Sequence, residues 1–324
     1  MQKEKILLDT DIGTDIDDAL TLAYLLYQPK CELIGITTVT GQAFERAKMA
    51  SAICIAAGRP EVPIHIGVED CILVEQQEKY APQSEMLKKW QHKDSFPKDA
   101  ITYMIKTIRE NPGEITLLGI SPLGNIARLF LTDPEIPSLL KGLYLMCGKF
   151  SEWEFRPWSD ARASWWKEPY CAFVPENFRF TAGGALEMNA LIDPYATAIV
   201  YGAQVSKHKS IGVDMTCRVT LPSAQFLENC AMHSIFDPIV DMANVWFKTS
   251  NIVTFHDPLA CACIFNNDVC EFMRGNVQVE LQSDLLRGYT HFVKDDDGGC
   301  EIACTVSPES FFQEFYSVFK KTGS

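Results

Sequence analysis

The stretch Asp9-Thr10-Asp11-Ile12-Gly13-Thr14-Asp15-Ile16-Asp17-Asp18 puts five carboxylates into ten residues. It follows the apolar run ending at Leu8, which begins at Lys5 and reads as a strand. It precedes Ala19, Leu20, Leu22, Ala23, Leu25 and Leu26, whose spacing predicts a helix. A β-branched run from Glu32 to Thr40 comes next. Strand, acidic turn, helix and strand in this order predict a right-handed βαβ unit and a parallel sheet.

The alternation continues outward. Helical patterns at 44–57, 98–110 and 122–130 alternate with strand-like runs at 63–66, 114–120 and 142–146, and Asn111-Pro112-Gly113 punctuates one junction. Helix signals return at 185–198 and 222–246, Val277–Leu281 alternates like a half-buried strand, and Lys294–Gly299 reads as a hairpin turn. The acidic run in that turn lacks the ligand spacing of an EF-hand. Tryptophans 153, 158, 165 and 166, interleaved with Arg156, Arg162, Lys167 and Arg179, mark residues 151–180 as an insertion or lid over the sheet edge. No repeat or linker divides the chain, so the expectation is one α/β domain over 1–324, with an open, mostly parallel sheet flanked by helices.

Hydrophobic residues make up 47% of the 324 and charged residues 22%, a composition that supports a packed core. The net charge of −13 disfavours nucleic acid and anionic membrane as partners. Met1–Lys5 opens no apolar export segment and no long uncharged apolar run occurs, so neither export nor membrane spanning is expected. The twelve cysteines form no CxxC pair and sit mostly in apolar segments, so they read as small core residues of a cytoplasmic protein.

In open α/β sheets ligands bind beyond the carboxyl ends of the strands, where this acidic turn must lie. Carboxylates crowded there repel one another unless a cation arrives, and oxygen donors select a hard one, Ca²⁺ or Mg²⁺. Capping of the following helix would account for Asp17 and Asp18 but not for Asp9 and Asp11. A dehalogenase-type phosphatase also uses a strand-end aspartate pair, but its D-x-D-G-T spacing is missed here, because Ile12 follows Asp11 and Gly13-Thr14 come one place late.

Joined to GITTVTGQ (35–42), LLGISPLGNIA (117–127), LEMNALIDPYATA (186–198) and HDPLA (256–260), the turn resembles the inosine/uridine nucleoside hydrolase family, with the segments in order over nearly the whole chain. The resemblance implies calcium-dependent cleavage of the N-glycosidic bond of a purine or pyrimidine ribonucleoside, or a related N-riboside. It implies Ca²⁺ ligands at Asp11, Asp18, the Ile120 carbonyl and Asp257. It further implies Asp11 as general base, His256 as the donor that protonates the leaving base, and Asp17, Gln42, Glu187 and Asn189 around the ribose. Asp9 would orient the loop, and Asp15 competes with Asp17 and Asp18 as a ligand. A homo-oligomer is expected.

Departures from the family pattern keep a catalytically impaired nucleoside-binding paralogue as the alternative. The turn is two residues longer than the commonest form, Gln42 and Thr181 stand where asparagines are usual, and the HGxxG segment is missing, with Gln91-His92-Lys93 a poor substitute.

Overall fold

The computed structural model describes residues 3–150 and 186–320. The first strand, β1 (Glu4–Thr10), is followed by α1 (Asp17–Tyr27), β2 (Cys31–Thr38), α2 (Ala43–Ala56) and β3 (Ile64–Ile66). A 3₁₀ helix at Pro82–Lys88 leads to α3 (Ala100–Glu110), β4 (Ile115–Gly119), α4 (Gly124–Thr132), α5 (Ile136–Leu139) and β5 (Gly142–Met146). Beyond residue 185 come α6 (Met188–Ile192), α7 (Pro194–Gly202), β6 (His208–Ile211), α8 (Val213–Thr216), β7 (Thr220–Pro222), α9 (Ser223–Cys230), α10 (Phe236–Trp246) and β8 (Ile252–Thr254). The chain continues through α11 (His256–Phe265), β9 (Cys270–Val279), β10 (Thr290–Lys294), β11 (Cys300–Val306) and α12 (Pro308–Ser317).

The main sheet runs in the order β10-β9-β11-β6-β5-β4-β1-β2-β3. Pairing is parallel from β3 through to β11, and β9 runs antiparallel to both of its neighbours. The chain leaves β1 toward β2 on one side and returns later to β4 on the other, so the topological switch lies between β1 and β4. Their carboxyl ends open a crevice, the usual ligand position in such sheets.

Central parallel strands are buried on both faces, and the two-residue period divides their side chains between two cores. Ile6 and Leu8 of β1 enter one core with Leu20, Ile53 and Leu259; Leu7 enters the other with Met104, Ile126 and Ala196. Asp9 and Leu7 share a face, so the next residue out on that face is a carboxylate placed under α4.

Two readings of the sequence change. The segment 294–299 is not a hairpin turn, because β10 and β11 lie on opposite sides of β9 and the hairpin is β9–β10. The chain instead crosses β9 at Gly275, so closely that a Cβ on Gly298 would stand 2.3 Å from the Gly275 backbone. The helical stretch at 185–198 breaks at Asp193-Pro194, where the Asp193 side chain accepts from the Ala196 N–H and caps α7. The tryptophan-rich segment 151–180 lies outside the described residues, as does Thr181. Among the described residues no helix is long and apolar enough to cross a membrane.

Candidate active site

The acidic turn leaves β1 at the switch point, and its last two aspartates form the first turn of α1. Asp257 stands in the first turn of α11, which packs beside α1. The two helix starts bring Asp17, Asp18 and Asp257 together, all buried, with one carboxylate oxygen from each within 4.8 Å of the others. An Asp17 oxygen accepts from the Asp257 N–H at 3.2 Å, and an Asp18 oxygen accepts a short hydrogen bond from the Thr10 hydroxyl. The N-cap residues Ile16 and Phe255 make no side-chain capping bond, and the Asp17 bond to α11 leaves Asp18 and Asp257 without a capping role.

Asp11 borders the trio, close enough to Glu78 and Asp18 for both to raise its carboxyl pKa, though it is not one of the three grouped carboxylates. Burial pushes the carboxyls of Asp11, Asp17, Asp18 and Asp257 well above their ordinary range, and repulsion adds to it: Glu78 and Asp18 act on Asp11, Asp15 on Asp17, Asp17 on Asp18, and Asp17 then Asp18 on Asp257. Buried anions this close are costly unless a cation accompanies them. An all-oxygen donor set suits a hard divalent ion, and opposed ligands on Ca²⁺ stand up to about 5 Å apart, in keeping with the 4.8 Å grouping. The residues present fit such an ion.

Asp9 does different work. It is fully buried, and its carboxylate accepts from the Thr37 hydroxyl at 2.5 Å, the Asn125 amide at 2.7 Å and the Ser121 hydroxyl at 3.3 Å. Burial pushes its pKa up to about 6 against those three bonds. A fully buried carboxylate holding three hydrogen bonds is not presented to a phosphate, which counts against the phosphatase alternative. The Asp9 carbonyl also receives the Ile120 N–H at 3.0 Å, which ties the end of β4 to the turn. Asp15 is half-buried and accepts from the following Ile16 N–H.

A buried arginine that no motif points to lies beneath the turn. Arg46 of α2 has no exposed surface and extends under the turn, donating to the carbonyls of Gly41, Asp11, Ile12 and Tyr80, the Thr14 hydroxyl and the Glu78 carboxylate. One signal was present: Arg46 shares a helical face with Met49, Ala50 and Ile53, all buried, where a charge needs a reason. Glu78, on the loop after β3, has no local signature.

The ribose candidates are spread around the same rim. Glu187 is 4% exposed and is the N-cap of α6: its carboxylate accepts from the backbone N–H groups of Gly148, Asn189 and Ala190. The Asn189 amide donates to the Met146 carbonyl at 2.8 Å. Both are therefore tied to the carboxyl end of β5, two strands from the acidic turn. Gln42 sits in the left-handed region at φ 60°, and its side-chain carbonyl accepts from the Ala81 N–H at 2.8 Å. His256 is buried, with Nδ1 2.6 Å from the Thr216 hydroxyl, and burial pushes its pKa down to about 4. His92 bonds to the Lys93 carbonyl on the surface loop where the sequence places it.

The profile of the inosine-uridine preferring nucleoside hydrolase family matches residues 6–313. Probable uridine nucleosidase 1 of Oryza sativa subsp. japonica is 25% identical over 321 residues, covering 90% of this chain and 85% of its own. Uridine nucleosidase 1 of Arabidopsis thaliana is 26% identical, covering 89% of this chain and 81% of its own. Among solved structures, a purine-preferring ribonucleoside hydrolase from Gardnerella vaginalis superposes with a TM-score of 0.78 at 22% identity, covering 98% of both chains. At that identity the superposition speaks for the fold.

Proposed function

The chain belongs to the inosine-uridine preferring nucleoside hydrolase family, and from that premise we propose that it hydrolyses ribonucleosides to ribose and free base with Ca²⁺ held at the acidic turn. It is an N-glycosidase acting on small-molecule nucleosides. The observation that carries the calcium reading is the buried trio Asp17, Asp18 and Asp257 beside Asp11 at the switch point.

In this reading Asp11, Asp18 and Asp257 would hold the ion together with the Ile120 carbonyl, and Asp17 would hold a ribose hydroxyl. The ion, when bound, supplies positive charge that grips the ribose hydroxyls and acidifies the attacking water. Asp11 takes the proton of that water at a carboxylate oxygen as the new bond to C1′ forms. The C1′–N bond breaks with its electron pair going to the base, and the ribosyl ring passes through an oxocarbenium-like state that the surrounding carboxylates stabilise. His256, neutral in the resting protein, would take up a proton from solvent as negative charge grows on the base beside it, and would pass that proton to the departing base nitrogen. Thr216 fixes the ring through Nδ1. Glu187 and Asn189 set the position of the ribose from the end of β5, and Gln42 borders it from α2.

We place the whole of 1–324 in one domain and expect a homo-oligomer. All eleven described cysteines are free, which supports work in a reducing, cytoplasmic setting. A reducing-sugar assay against purine and pyrimidine ribonucleosides, with 2′-deoxynucleosides beside them, tests the reading. Ribose release confined to the ribonucleosides is expected; equal release from the deoxy substrates would remove the ribose hydroxyls from the account.

A further inference from the structure

We propose that Arg46 and Glu78 are positioning residues that clamp the loop 67–81 onto the acidic turn and so aim the Asp11 carboxylate; this rests on the hydrolase reading above. Residues 11–16 have no regular secondary structure, so their own backbone does not fix where Asp11 points. The peptide joining Asp11 to Ile12 is instead gripped at both ends. Its N–H donates to the Thr10 hydroxyl at 3.1 Å, and its carbonyl accepts from Arg46. With that plane held, the direction of the Asp11 side chain is restricted to its own rotamers.

The second jaw is Glu78. Its carboxylate accepts from Arg46 at 2.8 Å and from the Thr14 hydroxyl, and it is anchored through its backbone carbonyl, which accepts from the Gly41 N–H at 3.1 Å. Arg46 donates once more to the Tyr80 carbonyl, and Gln83 donates from its backbone to Gly13 and from its side chain to Thr14. These contacts tie the turn to α2, to the loop after β3 and to the 3₁₀ helix at Pro82–Lys88. A guanidinium suits this task because its fork reaches several acceptors in one plane, whereas a lysine would bring the same charge to fewer of them.

The test compares Arg46→Lys, Glu78→Gln and Thr14→Val with the wild type in three measurements: the melting temperature, kcat and KM on a ribonucleoside, and Ca²⁺ affinity by calorimetry. Thr14 and Glu78 are partly exposed, so those two variants carry the test if Arg46→Lys does not fold. For the folded variants we expect kcat to fall about tenfold or more while KM moves less, together with weaker Ca²⁺ binding. Variants that melt lower but keep wild-type kcat and Ca²⁺ affinity would make the clamp a matter of stability alone and overturn the proposal. So would full activity in Arg46→Lys, which would leave only a requirement for charge. If the wild type releases no ribose from any nucleoside, the hydrolase reading fails, and Ca²⁺ affinity in the variants still decides the clamp.

Discussion

Replacing Asp257 with Asn should reverse the order of stability of variant and wild type according to whether Ca²⁺ is present. In the metal-free protein, two ionised carboxylates with oxygens no more than 4.8 Å apart repel by roughly 3.5 kcal/mol or more at an effective dielectric constant of about 20. Asp257 faces both Asp17 and Asp18, and proton uptake by the trio limits what this repulsion can cost, so removing one charge should stabilise the apo protein by on the order of 3 kcal/mol. At about 2.1 cal/mol/K of unfolding entropy per residue, that is roughly 4–5 °C in Tm for a chain of this length. The pH dependence has a definite sign. These carboxyls titrate above their unfolded value of 3.8, so the native state retains protons that the unfolded chain releases, and apo stability declines as pH rises above that value. The variant's advantage in chelator should therefore be larger near pH 8 than near pH 5. Ca²⁺ at about a thousand times its dissociation constant adds about 4.1 kcal/mol to the wild type, more than the variant's lead in chelator, and less to a variant that has lost a ligand. Thermal melts in chelator and in excess Ca²⁺ would measure this directly. A variant less stable than wild type in both conditions, or one with an undiminished gain from Ca²⁺, would refute the reasoning.

Three further outcomes follow from individual side chains. His208 is buried, stacks on Tyr201 and has no hydrogen-bond partner for either ring nitrogen among the described residues; burial pushes its pKa down to about 4. The unfolded chain binds that proton first, so the neutral ring costs nothing above about pH 6.5 and up to roughly 3 kcal/mol as pH falls toward 4. In His208→Phe, melts should show a shallower loss of stability over that window. Asp11→Asn should lower kcat by about 10²–10⁴-fold while the fold survives, measured by steady-state ribose release. His256→Ala should slow nucleoside hydrolysis yet leave a nitrophenyl riboside nearly unaffected, because nitrophenolate departs without a proton; equal losses on both substrates would remove the proton-donor role.

Most of the layout was legible because its signals are local. The apolar run before Asp9, the helical spacing after Asp18 and the run to Thr40 define one βαβ unit, and each later strand to β5 repeats the same punctuation. The acidic turn announced itself because five carboxylates crowded at a strand end repel one another unless a cation joins them. What was hidden depends on contacts distant in sequence. Glu78 meets Thr14 across 64 residues, and Asn125 meets Asp9 across 116; no periodicity reports such pairs. Glu187 illustrates the opposite difficulty: polar residues before a helix read as surface, yet three backbone N–H groups bury it as a cap. The segment 294–299 has the composition of a hairpin turn, and only the pairing of β9 with both β10 and β11 makes it a crossover.

The central claim is that the buried carboxylates at the β1–β4 switch hold one hard cation on which glycosidic cleavage depends. The most direct measurement strips the purified protein of metal, follows ribose release from uridine and inosine, and then titrates Ca²⁺ back while bound metal is counted. The account predicts loss of turnover in the stripped protein and its return in proportion to one ion per chain. Full turnover in protein shown to be free of metal would contradict it.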